Sequence, residues 1–165
     1  MKKVFFFDRD GTLIKNIPYL NDYNKIEYFS DTFSTLKSLK LMGYEFIIIT
    51  NQSGLARGLI TIEQMTLIHK KMRADFSAQG IDLLDILYSP DGPNSDNNRR
   101  KPRTGMLAEA FNKFDIEKEK SYMVGDNITD IQCANNFGIK SFFLNKDKIQ
   151  PTIYIDKLSD ILKYI

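Results

Sequence analysis

Short runs of bulky apolar residues alternate along this chain with longer stretches of helical periodicity. Val4-Phe5-Phe6-Phe7, Phe46-Ile47-Ile48-Ile49, Leu83 to Tyr88 and Tyr122-Met123-Val124 are the apolar runs. A continuous run of this kind, without polar alternation, predicts a strand buried on both faces. Between the runs, Ser30-Asp31 can cap a helix carrying Phe33, Leu36, Leu39 and Leu41, which Gly43 stops. Thr61-Ile62-Glu63-Gln64 has the capping-box pattern and opens a long helix through Met65, Ile68, Met72 and Phe76, closing near Gly80. A third helix is expected from about Gly105 to Phe114 and a fourth from Thr129 to Phe137, with Gly138 after it. Lys140 to Leu144 and Ile153 to Ile155 read as further strands, and a closing helix is expected from about Asp156.

Strands alternating with helices of this length predict an α/β fold: a doubly wound, Rossmann-like parallel sheet with helices on both faces and right-handed crossovers. The 165 residues fit a single domain spanning 1–165, and no internal repeat or low-complexity tract divides it.

In a parallel sheet every strand points the same way, so the polar clusters that follow the strands converge on one edge. The first run leads into Asp8-Arg9-Asp10-Gly11-Thr12 and the second into Thr50-Asn51-Gln52-Ser53-Gly54. The third leads into a polar loop ending in Arg99-Arg100-Lys101-Pro102, and the fourth into Gly125-Asp126-Asn127 with Asp130 beyond. Taken alone, Asp8 to Thr12 also fits a solvated turn, because Asp and Gly are common there. Two carboxylates so close repel unless a cation lies between them or one holds a proton. Both conditions suit an aspartate nucleophile beside a magnesium ion and an aspartic general acid. Solubility alone does not require several acids, a hydroxyl and a lysine to converge.

Composition narrows the classes. A hydrophobic content of 42% and a charged content of 27% are ordinary for a soluble globular protein. A net charge of +2 is too small to argue for nucleic-acid or membrane partners. One cysteine, Cys133, excludes an internal disulfide framework and any cysteine-rich metal site, and it reads as a small buried residue. His69 falls on the long helix, far in sequence from every polar cluster, and reads as a surface residue. The alternation Asn94, Asp96, Asn98 suggests a calcium loop, but Arg99 stands at the required Gly and Gly105 at the bidentate Glu, so calcium is rejected. No apolar stretch approaches the ~20 residues that span a bilayer, and Asp8 ends the first run too early for a signal peptide, so a cytoplasmic location is the expectation.

The succession Asp-Arg-Asp-Gly-Thr-Leu, Thr-Asn-Gln-Ser-Gly-Leu-Ala-Arg-Gly, Arg-Lys-Pro-x-x-Gly-Met-Leu and Val-Gly-Asp-x-x-x-Asp resembles the haloacid dehalogenase superfamily of phosphatases. Its wording is similar to the branch holding heptose bisphosphate phosphatases and histidinol-phosphatase, over about residues 3–145. The resemblance implies a magnesium-dependent phosphomonoester hydrolase in which Asp8 is the nucleophile and forms an aspartyl-phosphate. Asp10 would protonate the leaving oxygen and then activate water, carrying a proton that the charge of Asp8 favours. Asp8, the main-chain carbonyl of Asp10 and Asp126 would be the magnesium ligands, supported by Thr12, Asn127 and Asp130. Thr50, the backbone around Arg9 and Asn51, and Lys101 would hold phosphate, with Arg100 adding a directional contact. Arg99 and Arg103 read as a solvated basic loop.

Relatives with large substrates insert a cap domain between motifs. Here the gaps leave no room for a separate cap domain, so an open mouth is expected. Many close relatives also carry a zinc loop of three cysteines and a histidine. This chain has residues 89–98 in its place, with neither residue type, so no zinc is expected. The expected substrate is a small phosphorylated metabolite, foremost a heptose 1,7-bisphosphate cleaved at position 7, with histidinol phosphate as the rival. A polynucleotide 3′-phosphatase would show a stronger basic field than +2. A receiver-type signalling domain also phosphorylates an aspartate but lacks an acid two residues later. A monomer is expected.

Overall fold

A computed structural model describes residues 1–145 and 152–165. Six strands form one parallel sheet: β1 (Lys3–Phe7), β2 (Tyr44–Asn51), β3 (Leu83–Ser89), β4 (Tyr122–Gly125), β5 (Lys140–Phe143) and β6 (Ile153–Tyr154). Their order is β3-β2-β1-β4-β5-β6, and every pair is parallel. Four helices connect them: α1 (Thr32–Leu41), α2 (Ile62–Ala78), α3 (Gly105–Lys113) and α4 (Ile128–Phe137).

The strand period of two divides the core. Phe5 and Phe7 pack with Leu36 and Leu39 of α1 and with Ile68, Met72 and Phe76 of α2. Val4 and Phe6 point the other way, onto Met106, Leu107 and Ala110 of α3 and Cys133 and Ala134 of α4. Both faces of the sheet are thus covered by helices, as the uninterrupted apolar runs required. The order in which strands are added reverses at β1, with β2 and β3 on one side and β4 to β6 on the other. The crevice beyond the carboxyl ends of β1 and β4 is therefore the topological switch point, where open α/β sheets bind ligands.

Local signals behave as their chemistry dictates, with three exceptions. The Thr61–Gln64 capping box forms with both reciprocal bonds, and Gly138 ends α4 in the left-handed region at φ 83°. Asp31 occupies the N-cap of α1, yet its carboxylate caps nothing there; it accepts from the Ser159 N–H at 2.9 Å. Leu41, the last of the apolar residues read along this helix, is 90% exposed because α1 ends at that residue and the chain turns through Gly43 into β2. The closing α-helix expected from Asp156 is instead a 3₁₀ segment, Leu158–Lys163, whose Leu158 and Ile161 dock beside α1.

Candidate active site

Asp8 leaves β1 with its N–H still bonded to the carbonyl of Val124, so the strand ladder carries it to the switch point. Its carboxylate is nearly buried. The ammonium of Lys101 lies 2.7 Å from Asp8 Oδ1, 2.7 Å from Asp130 Oδ1 and 2.8 Å from the carbonyl of Ile49. Burial weakens the hold of Lys101 on its proton; Asp130 and Asp8 outweigh it and hold the amine charged beyond its usual range.

Lys101 reaches this position because Asn51 fixes its backbone twice. The Lys101 N–H donates to Asn51 Oδ1 at 3.0 Å, and Asn51 Nδ2 donates to the Lys101 carbonyl at 3.0 Å. The side chain of Asn51 thus binds the Lys101 peptide. Asp126 follows β4, and the Thr12 hydroxyl donates to its Oδ1 at 3.1 Å. Asn127 caps α4 by accepting from the Thr129 N–H and gives the reciprocal bond, its own N–H donating to Asp130 Oδ2 at 3.0 Å. Two glycines make these approaches possible. A β-carbon at Gly11, where φ is 83°, would overlap the Asp126 carboxylate, and one at Gly125 would overlap that of Asp130.

Asp8, Asp126 and Asp130 therefore gather their carboxylates within 4.8 Å of one another against a single ammonium. The excess charge is felt. Burial first, then Asp130, push the Asp8 carboxyl well above its usual range, and the same two causes raise Asp126. A hard oxygen-only cluster with more anionic than cationic charge fits a divalent cation such as magnesium.

Asp10 is surrounded differently. It accepts from Arg9 Nε at 2.9 Å, from Arg9 Nη2 at 3.1 Å and from Gln52 Nε2 at 2.9 Å. Gln52 also donates to the Thr50 hydroxyl oxygen at 2.8 Å, which ties the second motif to the first. Neither the Arg9 side chain nor Gln52 stands out in the sequence as a site residue. The one available signal is that both sit inside motifs otherwise read for their neighbours. His69 is the third residue missed. It is not a surface residue: it is half-buried, with Nε2 3.2 Å from Arg9 Nη1.

The rim is built by arginines. Arg100 Nη1 donates to the Asp91 carbonyl at 2.9 Å. Burial, then the nearby Arg57 guanidinium, lower its affinity for a proton. Arg57 itself is exposed and donates to the Tyr19 hydroxyl oxygen at 2.9 Å. Arg99, read from the sequence as solvated, is partly buried and structural, whereas Arg103 is exposed, as read. Arg99 donates to the Tyr88 carbonyl at 3.0 and 3.1 Å and pairs with Glu109, while Arg103 reaches the carbonyls of Ser95 and Asn97. These bonds shape residues 89–98, where the sequence offers no cysteine or histidine for zinc. Cys133 is buried as expected, and its thiol is pushed up to about 12, mainly by burial. The cleft between floor and rim measures about 230 Å³ and is lined by Asp8, Asp10, Asn16, Arg100, Asp126 and Thr129 among others.

The comparisons with known proteins agree with this geometry. The family model described as polynucleotide kinase 3 phosphatase matches residues 3–151. The D-glycero-alpha-D-manno-heptose-1,7-bisphosphate 7-phosphatase of Photorhabdus laumondii is 39% identical over 151 residues, covering 87% of this chain and 82% of that protein. The D-glycero-beta-D-manno-heptose-1,7-bisphosphate 7-phosphatase of Pasteurella multocida is 32% identical, covering 100% of this chain and 97% of that protein. The crystal structure of D,D-heptose 1,7-bisphosphate phosphatase from B. bronchiseptica, complexed with magnesium and phosphate, superposes with a TM-score of 0.89 at 24% identity, covering 99% and 97% of the two chains. No helix among the described residues is long and apolar enough to cross a membrane. The chain belongs to the polynucleotide kinase 3 phosphatase family, within the haloacid dehalogenase superfamily, and is a phosphoric monoester hydrolase.

Proposed function

We propose that this chain is a D-glycero-D-manno-heptose 1,7-bisphosphate 7-phosphatase that works through an aspartyl-phosphate on Asp8. The observation that carries the chemistry is the Lys101 ammonium set between Asp8 and Asp130 at the switch point. Phosphate monoesters hydrolyse extremely slowly unaided, so a nucleophile, an acid and charge neutralisation must all be supplied. Asp8 attacks phosphorus, and the bond to the sugar oxygen breaks as Asp10 delivers a proton to it. Asp10 then takes a proton from water, which attacks the acyl phosphate and frees Asp8 and inorganic phosphate. Lys101 offsets the negative charge gathered on the phosphoryl oxygens, and Asn51 holds its backbone in place. Asp8, the Asp10 carbonyl and Asp126 would hold a magnesium ion, which would supply further positive charge at the phosphate, with Thr12, Asn127 and Asp130 orienting the acids.

The sugar bisphosphate is favoured by the names of the two relatives above and by the rim. Arg100 and Arg57 lie near enough to press on each other's charge, which suits a second anionic group away from the reacting phosphate. The two relatives carry opposite anomers in their names, so the anomer is a separate question. Histidinol phosphate is the second reading. The Histidine biosynthesis bifunctional protein HisB of Bacteroides fragilis is 34% identical over 149 residues, but this chain covers 40% of that protein. Histidinol phosphate would bring a cationic amine toward those arginines. A DNA end is disfavoured by the net charge of +2.

The test is a phosphate-release screen over both anomers of heptose 1,7-bisphosphate, histidinol phosphate and 3′-phosphorylated DNA. The bisphosphate should give the highest kcat/KM. Arg100→Ala should lower that value about tenfold more for the bisphosphate than for a small aryl phosphate, which has no distal group to use. A preference for histidinol phosphate, or equal losses on both substrates, would reassign the substrate.

A further inference from the structure

Arg9 is 1% exposed, making it one of the largest fully buried side chains in the protein. Two arms of its guanidinium grip both oxygens of Asp10, at 2.9 and 3.1 Å. The third arm, Nη1, ends 3.2 Å from Nε2 of His69, sixty positions along the chain on α2. A guanidinium can only donate, so Nε2 must accept and the ring proton must sit on Nδ1. Burial, then Arg9 and Arg73, push the imidazole down to about 3, so the ring is neutral at any working pH.

The contact matters because, among the described residues, the other side-chain bonds of Arg9 go to its own neighbour. Arg9 and Asp10 are neighbours in the turn after β1, and a clamp between neighbours can swing as a unit. His69 belongs to a 17-residue helix whose Ile68 and Met72 are fully buried in the core. Bonding to it ties the clamp to the scaffold. The Asp10 side chain is 21% exposed at the mouth, so water competes for it. A carboxylate displaced by about 1 Å can lose ~100-fold in rate. Gln52 and Arg9 Nε both donate to Oδ2, while Oδ1 has only Arg9 Nη2. Held this way, Oδ1 is the oxygen with room for a leaving group.

We infer that His69 is a positioning residue for the acid–base step: it fixes the third arm of Arg9, which in turn fixes the Asp10 carboxylate toward the cleft. This rests on the reading of Asp10 as the general acid and base. Two neutral, polar replacements test it without removing the side chain. His69→Gln places an amide oxygen close to the position of Nε2, and His69→Asn places one close to Nδ1, out of reach of Arg9. On an alkyl phosphate such as the heptose bisphosphate, His69→Asn should lower kcat about ten- to a hundredfold with KM changed less than about twofold. His69→Gln should recover most of that loss. In an Asp10→Asn background His69→Asn should cost nothing further, since it acts through the carboxylate already removed.

A loss that persists undiminished in the Asp10→Asn background would mean a general structural role and overturn the inference. So would Gln and Asn variants that both match the unmodified protein while Asp10→Asn alone is slow. Full activity in Asp10→Asn alone would instead bring down the acid–base reading, and the role of His69 with it.

Discussion

Asp8 and Asp10 stand two residues apart and live under opposite electrostatics. Around Asp8, three carboxylates gather and two of them pair with the one ammonium, so the region is short of positive charge. Around Asp10, one carboxylate meets a guanidinium and an amide donor, so the region is balanced within itself. The difference separates two jobs. A group that awaits a cation and a phosphoryl group is left underpaired, at a cost in stability that ligands relieve. A group that must move protons at a fixed position is instead held by Arg9, which reaches His69 on α2, and by Gln52, which is bonded to Thr50.

Removing the single cation of the first region tests it most severely. Lys101→Met should leave Asp8 and Asp130 buried without a counter-charge, which costs about 3–5 kcal/mol of stability for a broken buried pair. Activity should fall by at least about 10³, as a drop in kcat, because the charge opposite the phosphoryl group is gone. Thermal unfolding and steady-state kinetics read the two effects separately. If the Met variant keeps its activity, the charge argument at Asp8 is wrong.

The second region should respond to leaving-group chemistry. Asp10→Asn should slow an alkyl phosphate by about 10²–10⁴, the usual worth of a positioned acid or base. An activated aryl phosphate, whose leaving oxygen needs no proton, should lose less in the first, phosphoryl-transfer step. Equal losses in that step, measured by rapid quench, would put the acid role in doubt.

How much of this could be read from the chain follows from how far each contact reaches. The strands, the helices and the four polar clusters announce themselves because apolar runs and caps are local. Asp8, Asp10, Asp126 and Lys101 are legible for the same reason, since each ends or follows a strand whose direction is set by the fold. His69 was not legible. Its role depends on the rotation of α2 and on the reach of a buried arginine across sixty positions, and neither is encoded in spacing. Arg99 failed in the opposite sense. A basic loop residue looks solvated until a carbonyl such as that of Tyr88 turns out to face it. Leu41 shows the limit of periodicity at a helix end, where the last apolar position can overrun the core.

The pH dependence of stability offers a gentler contrast. His69 is held neutral in the folded state, its value lowered from 6.5 to about 3, so unfolding takes up a proton below pH 6.5. Its stabilising share is complete above that value and is lost as pH falls toward 3. Asp8 works in the other direction. Its folded value is raised, so its share is present below 3.8 and is lost as pH rises through the folded value. Replacing His69 by Gln should therefore flatten the decline in Tm between pH 6.5 and 5. In EDTA at pH 7.5, Asp8→Asn should have a Tm equal to or above that of the unmodified protein. Magnesium should raise the Tm of the unmodified protein more at pH 7.5 than at pH 5. A magnesium response independent of pH would contradict the assignment of the charge shortage to Asp8.

The most direct measurement of the central claim is phosphate release by Asp8→Asn beside the unmodified protein, under magnesium saturation and with folding verified by its thermal transition. Turnover should vanish in the variant while its cooperative unfolding remains, because the amide cannot attack phosphorus. A folded Asp8→Asn protein that hydrolyses the bisphosphate at the full rate would contradict the account.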